Sequence, residues 1–223
     1  MSQNSGDLRV RRTHKLLREA LIALIEERGF DALTVGEIAS RAMVSRAAFY
    51  RYYQDKYDLA EQIFEEILQT MANEFDPLRQ QMLYSSAPQS TSDFWAKLFE
   101  QAMNSTPLPE PWVKLFEHVA EYERFYRVLL DKKGSSWFVT KMRVYLTEMI
   151  HQRLQTLQLH MKRLADHRVV ADGFVAVLLA GLLVDAITWW LEQGKPYSPS
   201  QAATYCSRLI YVILEEATKW EWR

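Results

Sequence analysis

The chain has 223 residues, 48% hydrophobic and 13% aromatic, so it carries enough apolar material for a sizeable core and is not a disordered protein. Its 27 basic and 28 acidic side chains give a net charge of −1. The chain is therefore not a polycation of the kind that binds nucleic acid over its whole surface. The single cysteine, Cys206, excludes an internal disulfide framework and a thiolate metal cluster, and favours a reducing compartment.

The first predicted helix covers residues 9–29 and begins with a basic stretch. Within residues 1–18 a single acidic side chain, Asp7, stands against five basic ones: Arg9, Arg11, Arg12, Lys15 and Arg18. On a near-neutral protein this imbalance indicates a local contact with an anion. No apolar run follows these charges, so we expect no secretory signal.

Two short helices joined by a brief turn are predicted over residues 34–53, with the dimensions of a helix-turn-helix. Thr34 and Glu37 fit a capping box at the start of the first helix, and Ser45 is the expected N-cap of the second. Phe49 and Tyr53 lie four residues apart and are expected to face the core. The side chains left outside are then Arg46, Ala47, Tyr50, Arg51 and Tyr52.

This exposed mixture of arginine and tyrosine suits a groove lined by phosphates. Tyrosine hydroxyls donate to phosphate oxygens, and arginine binds guanine through two hydrogen bonds. Lys56, at the start of the next predicted helix, adds a cation beside free backbone N–H groups. Short helix pairs are common, and the same stretch could form an aromatic satellite core with solvated charges. The pattern favours DNA binding over that alternative.

An ordered series of marks runs through residues 15–59: Gly29-Phe30 at a helix end, Thr34-Val35, Ile38-Ala39, Val44-Ser45, Phe49-Tyr50, Tyr53, and Lys56 followed by Leu59. This series resembles the DNA-binding domain of the TetR family of transcriptional regulators. The chain departs from the family at Met43, where glycine is usual. A left-handed backbone at a residue with a side chain would cost about 1–2 kcal/mol, so either the turn differs or packing of Met43 compensates.

The resemblance implies a homodimeric repressor that binds a palindromic operator in double-stranded DNA and is released by a small-molecule effector. It implies a helix-turn-helix domain over residues 1–58, joined by a long helix to a helical effector-binding and dimerisation domain over residues 59–223. We expect no cofactor. The positions that correspond to the family's DNA contacts are Ser45, Arg46, Ala48, Tyr50, Arg51 and Tyr52, with Thr34 and Lys56 at backbone phosphates.

Further helical patterns follow at about 93–104, 111–132, 136–164, 168–194 and 198–218, and no strand pattern of useful length interrupts them. The sequence therefore predicts an all-α fold. Aromatic side chains are frequent between residues 94 and 149, where ordinary helix packing accounts for any single ring. The resemblance implies a pocket here for an apolar or aromatic effector, and its candidate lining is Trp95, Phe99, Trp112, Phe116, His118, Tyr122, Phe138 and Tyr145.

The last two predicted helices carry more than one apolar face, so each must be covered on both sides by its own core or by a partner. We expect a two-fold, four-helix dimer interface, and a purely internal core is the alternative. Asp172 and Asp185 interrupt the apolar run over 169–191, which argues against a membrane span and for a cytoplasmic protein. The candidate interface residues are Leu178, Leu182, Leu209 and Ile213.

Two other classes of function compete with the regulator. A helical small-molecule carrier or enzyme would use the rings at 94–149 and would not bind DNA. An adaptor would use the 169–191 helix to form a heteromer. We expect neither a metal site nor catalysis, because the histidines lack ligand spacing and carboxylates do not cluster. The exposed arginine and tyrosine face over 46–52 favours the regulator.

Overall fold

The computed structural model describes residues 3–84, 110–131, 134–162 and 173–217. Within these ranges the chain forms α-helices and no strands, which confirms the predicted all-α fold. The helices are α1 Gln3–Arg28, α2 Val35–Arg41, α3 Arg46–Tyr50, α4 Lys56–Tyr84, α5 Glu110–Glu121, α6 Glu123–Leu130, α7 Ser136–Lys162, α8 Gly173–Glu192 and α9 Pro199–Ala217.

The ends of the first three helices follow the local chemistry of the sequence. Thr34 Oγ1 accepts from the Glu37 N–H at 3.3 Å and the Glu37 carboxylate accepts from the Thr34 N–H at 2.9 Å, so the predicted capping box is confirmed. Ser45 Oγ accepts from the Ala48 N–H at 3.0 Å. Gly29, after α1, has a φ of +80°, in the left-handed region that glycine tolerates.

Two helices differ from the predicted pattern. Helix α1 begins at Gln3 rather than at residue 9, so the basic stretch is helical throughout. The pattern over 111–132 is divided into α5 and α6 at Tyr122, whose φ of −98° and ψ of 25° lie outside helical values. Apolar periodicity continues through Tyr122, so the sequence pattern did not show this break.

Contacts between Cα atoms divide the chain into two compact units. The N-terminal unit comprises Met1–Asn73 and Tyr122–Phe138, and the C-terminal unit comprises Glu74–Glu121 and Val139–Arg223. The first unit therefore includes a segment that is distant in sequence from the rest of it. The domain boundary predicted at residue 58 stays a prediction.

The core of the N-terminal unit is aromatic and aliphatic. Phe138 is fully buried there, with its ring 5.0 Å from that of Phe64 and 5.5 Å from that of Phe125. On the surface of the same unit, the Arg124 guanidinium of α6 donates to the carboxylates of two α1 residues, Glu19 and Glu26, at 3.0 Å each. The hydrogen bonds from Arg124 lower the pKa of Glu26 below its ordinary value. These contacts fasten α6 to α1.

In the C-terminal unit, α9 packs against both α5 and α8. The Trp190 ring is buried edge-on against Phe116 at 5.3 Å, and its Nε1–H donates to the Tyr197 carbonyl at 2.9 Å. Among the described residues, Gly173–Glu192 is a helix long and apolar enough to cross a membrane, but half of that window is buried within the protein. Core helices of folded proteins pass the same test, so this feature is weak evidence for a membrane span.

Candidate nucleic-acid interface

The turn between α2 and α3 closes α2 with two backbone hydrogen bonds in the Schellman pattern. The Met43 N–H donates to the Ser40 carbonyl and the Val44 N–H donates to the Ala39 carbonyl, both at 3.0 Å. Met43 has a φ of +54°, so this turn takes the left-handed conformation for which glycine is suited. Its side chain is 87% exposed, so packing does not compensate for the backbone strain.

Helix α3 is only five residues long and is held in place by two aromatic side chains. Phe49 and Tyr53 are 0% and 4% exposed, which confirms that both face inward. The Tyr53 hydroxyl lies 2.6 Å from Nδ1 of His14 in α1, and burial raises the pKa of Tyr53 to about 12. Tyr53 therefore stays neutral at physiological pH and ties the end of the α3 segment to α1.

Arg46 and Tyr50 of α3 and the C-cap residue Arg51 point outward, and we call these three side chains the recognition face. All three are exposed. In the part of the chain that the structure describes, neither arginine has a carboxylate within ion-pair distance. A rigid helix that presents two uncompensated guanidinium groups and a phenol can donate hydrogen bonds to phosphates and base edges.

Two other predicted contact residues have different surroundings. Tyr52 is half-buried, and its ring centroid lies 4.8 Å from that of His14. Ala48 is half-buried as well, and its N–H is used by the Ser45 cap. Their roles in DNA binding, like those of the recognition face, stay predictions.

The position of Arg46 depends on a glycine in α2. The guanidinium lies directly against Gly36, and a β-carbon at that position would overlap its Nη2 atom. Gly36 therefore provides the space in which the Arg46 side chain rests. This arrangement was not evident from the sequence, because Gly36 stands at an ordinary position of the first helical turn.

The two residues predicted at backbone phosphates are engaged within the protein. Lys56 Nζ donates to three carbonyl oxygens in the loop after α1, those of Phe30, Asp31 and Leu33, at 2.9–3.0 Å. An ammonium group has three donors, so these bonds use all of them. The Thr34 hydroxyl donates to Glu37 Oε2 at 2.8 Å. Both side chains thus stabilise the loop between α1 and α2, and their contact with phosphate stays a prediction.

Glu37 has the strongest electrostatic perturbation in this region. The hydroxyl and N–H of Thr34 and the guanidinium of Arg28, which lies 2.9 Å away, lower its pKa from 4.5 to about 2. The carboxylate is therefore ionised at any physiological pH. It holds the start of α2 against the end of α1, beside the Gly36 position that accommodates Arg46.

The candidate effector residues are divided between the two units, and their role in effector binding stays a prediction. Trp95 and Phe99 lie outside the described residues. Tyr122 and Phe138 belong to the N-terminal unit, where Phe138 is part of the core. The C-terminal unit holds Trp112, Phe116 and His118 on α5 and Tyr145 on α7, of which Phe116 and His118 are buried.

A shallow, open depression of about 680 Å³ lies in the N-terminal unit. Its lining is mostly charged and small, unlike the apolar pocket that the resemblance implies: Leu24, Thr34, Gly36, Glu37, Ser40, Arg41 and Arg46.

The candidate dimer residues lie on a broad exposed surface of α8 and α9. Leu178, Leu182 and Leu209 are exposed and Ile213 is half-buried. We call the whole surface the apolar face, and it consists of Phe174, Val177, Leu178, Leu182, Trp189, Tyr205, Leu209 and Val212. Asp185 lies on the same side of α8 and pairs with Arg143 of α7 at 3.1 Å. That this face is an interface stays a prediction.

Two family models match the chain. Residues 17–63 match the model described as bacterial regulatory proteins, tetR family, and residues 108–211 match the model for a transcriptional regulator C-terminal region. The first match contains α2, α3 and the recognition face. The second begins just before α5 and runs into α9.

Two relatives in Bacillus subtilis (strain 168) share the N-terminal region. The HTH-type transcriptional regulator YxbF, which is uncharacterized, is 41% identical over 51 residues, or 23% of this chain and 13% of that protein. A second uncharacterized HTH-type regulator, YdeS, is 43% identical over 56 residues, or 25% of this chain and 28% of that one. The matches thus span less than a third of either relative, and the likeness concerns the DNA-binding region.

Solved structures extend the likeness to the whole fold. A crystal structure from Syntrophomonas wolfei str. Goettingen, described as a TetR-family transcriptional regulator, aligns with a TM-score of 0.58 at 14% identity. The alignment covers 93% of this chain and 96% of that one. At this identity the alignment indicates a shared fold.

Proposed function

Because the chain belongs to the TetR family of transcriptional regulators and carries its DNA-binding helix-turn-helix, we propose that it is a ligand-responsive repressor that binds a palindromic operator as a homodimer. The observation that carries this proposal is the recognition face. Its exposed side chains, Arg46, Tyr50 and Arg51, lie on α3 and its C-cap, and the segment is fixed from the other side by buried Phe49 and Tyr53.

We assign the reading of bases to the two arginines and the positioning of α3 to Tyr50. Arginine can bind the O6 and N7 atoms of guanine with two parallel hydrogen bonds, so it distinguishes sequences. A tyrosine hydroxyl that donates to a phosphate fixes the helix in the groove and does not distinguish sequences. Ser45 and Ala48 lie at the start of α3, where small side chains allow close approach to bases.

We assign Lys56 and Thr34 a supporting role instead. Their donors are used within the loop after α1 and at the start of α2. Lys56 also lies 5.0 Å from the centre of the Phe30 ring, a distance typical of a cation–π contact. Replacing Lys56 would therefore weaken DNA binding by loosening the helix-turn-helix, along with any loss of a phosphate contact.

The homodimer would form through the apolar face. Soluble proteins that remain monomeric rarely expose large contiguous apolar patches. A larger exposed patch usually marks a surface that binds a partner. A two-fold interface places the same side chains on both protomers, so Leu178, Leu182 and Leu209 would meet their own copies or each other. The two recognition faces would then be related by the same two-fold axis as a palindromic operator.

The effector is proposed to be an apolar or aromatic small molecule bound within the C-terminal unit. The support comes from the family and from the aromatic side chains of α5 and α7 that lie there, Trp112, Phe116 and Tyr145. A regulator of this kind acts in the cytoplasm, where its operator is. A metal or cofactor has no part in the proposed mechanism.

The experiment that tests this function is a selection of bound duplexes from a random DNA pool, with purified full-length protein. We expect enrichment of a sequence with two-fold symmetry. Arg46→Ala and Arg51→Ala should each relax the preference at particular base pairs by about 1–3 kcal/mol. Lys114→Ala, which removes a cation paired with Glu117 in the C-terminal unit, is the matched control and should leave the selected sequence unchanged. A selection that enriches no sequence would rule out the proposed function.

A further inference from the structure

Arg46 of the recognition face rests against α2 through a contact that involves no ion pair. The three atoms nearest to a β-carbon built on Gly36 all belong to the Arg46 guanidinium: Nη2, then Cζ and Nε, both at 2.9 Å. The planar group, rather than the alkyl stem, therefore lies along the backbone of Gly36. Because real β-carbons essentially never come closer than 3.0 Å to such an atom, Arg46 can take this conformation only when residue 36 is glycine.

The hydrogen-bond donors of Arg46 remain unused in this arrangement. A guanidinium group has five N–H donors, and no acceptor or carboxylate among the described residues engages those of Arg46. The nearby carboxylate of Glu37 accepts from Thr34 instead and pairs with Arg28 at 2.9 Å. Arg46 is thus held in place with its donors available, at the edge of a depression that is open to solvent.

Gly36 weakens the helix in which it lies. Glycine loses more conformational freedom on folding than any other residue, so it destabilises a helix relative to alanine. Helix α2 has only seven residues, and Gly36 is the second of them. Its backbone is not in the left-handed region, so alanine could adopt the same backbone conformation without strain. The helix therefore does not require glycine at this position, whereas the observed conformation of Arg46 does.

A long side chain that is already held in one conformation loses less freedom when it binds a partner. Ordering one flexible side chain at an interface lowers the affinity by about 2- to 12-fold, and holding it beforehand avoids that loss. An arginine that binds guanine through two parallel hydrogen bonds must be ordered in this way. The contact with Gly36 restricts the Arg46 guanidinium before DNA is bound, and it uses none of the donors that guanine needs.

We propose that Gly36 is a positioning residue for operator recognition, which sets the base preference of Arg46 by leaving room for its guanidinium group. This inference rests on the proposed function and adds to it a residue that acts through Arg46 and need not touch DNA. Arg51 lies at the opposite end of α3, and none of the three atoms nearest to the Gly36 position belongs to it. The base preference of Arg51 is therefore independent of Gly36.

The test compares wild-type protein and Gly36→Ala in their affinity for the selected operator and for operators with single base-pair changes. The base pair read by Arg46 is identified as the one at which Arg46→Ala loses discrimination. At that base pair, Gly36→Ala should lower the discrimination by about 2- to 12-fold, which is the cost of ordering one long side chain. Discrimination at the base pair read by Arg51, identified with Arg51→Ala, should be unchanged.

A double variant separates positioning of Arg46 from a general effect on the fold. Once Arg46 is replaced by alanine, a methyl group at position 36 meets no guanidinium, so Gly36→Ala should cause no further loss of discrimination in the Arg46→Ala background. Thermal unfolding should show Gly36→Ala at least as stable as the wild type, because alanine favours the helix and the flexible arginine moves aside. A destabilised or unfolded variant would mean that α2 moves instead, and it would overturn the inference, as would an equal loss of affinity for every sequence.

Gly173→Ala is the matched control, because Gly173 also lies in a helix but a β-carbon there would meet nothing within 4 Å. It should leave the selected operator unchanged. If the wild type enriches an operator and Gly36→Ala keeps full discrimination at the Arg46 base pair, the inference fails and the proposed function stands. Greater discrimination in Gly36→Ala would also overturn the inference, because the contact would then hold Arg46 away from DNA. A wild type that enriches no operator would remove the proposed function and the inference together.

Discussion

The recognition face and the apolar face are both exposed, but their exposure has different meanings. Arginine and tyrosine hydroxyls are well solvated, so the recognition face needs no partner to be stable. It is informative because buried Phe49 and Tyr53 hold it rigidly. The apolar face exposes leucine, valine and aromatic side chains, and water contact with these is unfavourable. The recognition face therefore indicates a partner because its side chains can bind DNA. The apolar face indicates one because its contact with water is unfavourable.

Tyr53→Ala most sharply tests the difference between the buried rings of Phe49 and Tyr53 and the exposed ring of Tyr50. Removing this buried ring, which packs 5.6 Å from Phe49, should destabilise the N-terminal unit by about 3–5 kcal/mol. Denaturation followed by circular dichroism should show that unit unfolding early. Tyr53→Phe, which removes only the hydroxyl bonded to His14, should cost about 1 kcal/mol. Tyr50→Phe should leave stability unchanged and weaken DNA binding. Equal destabilisation by Tyr50→Phe and Tyr53→Ala would contradict the division of roles.

Leu182→Glu tests whether the apolar face meets a second copy of the chain. Two-fold symmetry would bury two uncompensated carboxylates, and we expect the dimer dissociation constant to rise about 100-fold or more. Sedimentation equilibrium measures it directly. Val144→Glu, which changes another exposed apolar residue, on α7 and outside the apolar face, is the control. A mass that shows a monomer for the wild type would remove the basis of the dimer proposal.

Met43→Gly should stabilise the N-terminal unit, because the left-handed backbone at this exposed position strains a residue with a side chain. The expected gain is about 1 kcal/mol, since part of the relieved strain is offset by the greater freedom of glycine in the unfolded chain. Thermal unfolding is the measurement. Lys195, with a φ of +58°, offers a second site of the same kind in the C-terminal unit. A loss of stability in Met43→Gly would mean that the Met43 side chain makes a stabilising contact.

The smallest expected effect is a pH dependence of the protein's stability that arises from Glu37 at the start of α2. The pKa of Glu37 is about 2 in the folded protein and 4.5 ordinarily, so its contribution to stability is complete above pH 4.5 and is lost as the pH falls towards 2. The thermal midpoint of the wild type should therefore fall more steeply below pH 4.5 than that of Glu37→Gln. If the thermal midpoints of the two proteins fall in parallel as the pH is lowered, the ionised Glu37 carboxylate does not contribute to stability.

Local sequence signals predicted much of the helix-turn-helix. Thr34 with Glu37, Ser45, and the four-residue spacing of Phe49 and Tyr53 each describe contacts between near neighbours, which a sequence displays directly. The partner of the Tyr53 hydroxyl did not emerge, although a buried tyrosine usually has one. His14 lies 39 residues away, and nothing in its local pattern points to α3.

Other contacts could not be predicted because they depend on tertiary geometry. The space that Gly36 leaves for Arg46 and the three carbonyls that bind Lys56 follow from how the loop after α1 folds. The inclusion of Tyr122–Phe138 in the N-terminal unit is likewise a matter of packing between distant segments. Phe138, for example, is a candidate effector residue by resemblance to the family. The structure shows that it is buried in the core beside Phe64, and its role in effector binding stays a prediction.

The most direct test of the central claim is the equilibrium affinity of the wild type and Arg51→Ala for the selected operator and for operators with single base-pair changes. The account predicts that the wild type discriminates against a changed base pair in each half-site by about 1–3 kcal/mol, and that Arg51→Ala loses this discrimination at one base pair while keeping its affinity for random DNA. Equal loss of affinity for every sequence, with discrimination intact, would contradict the assignment of α3 as the helix that reads the operator.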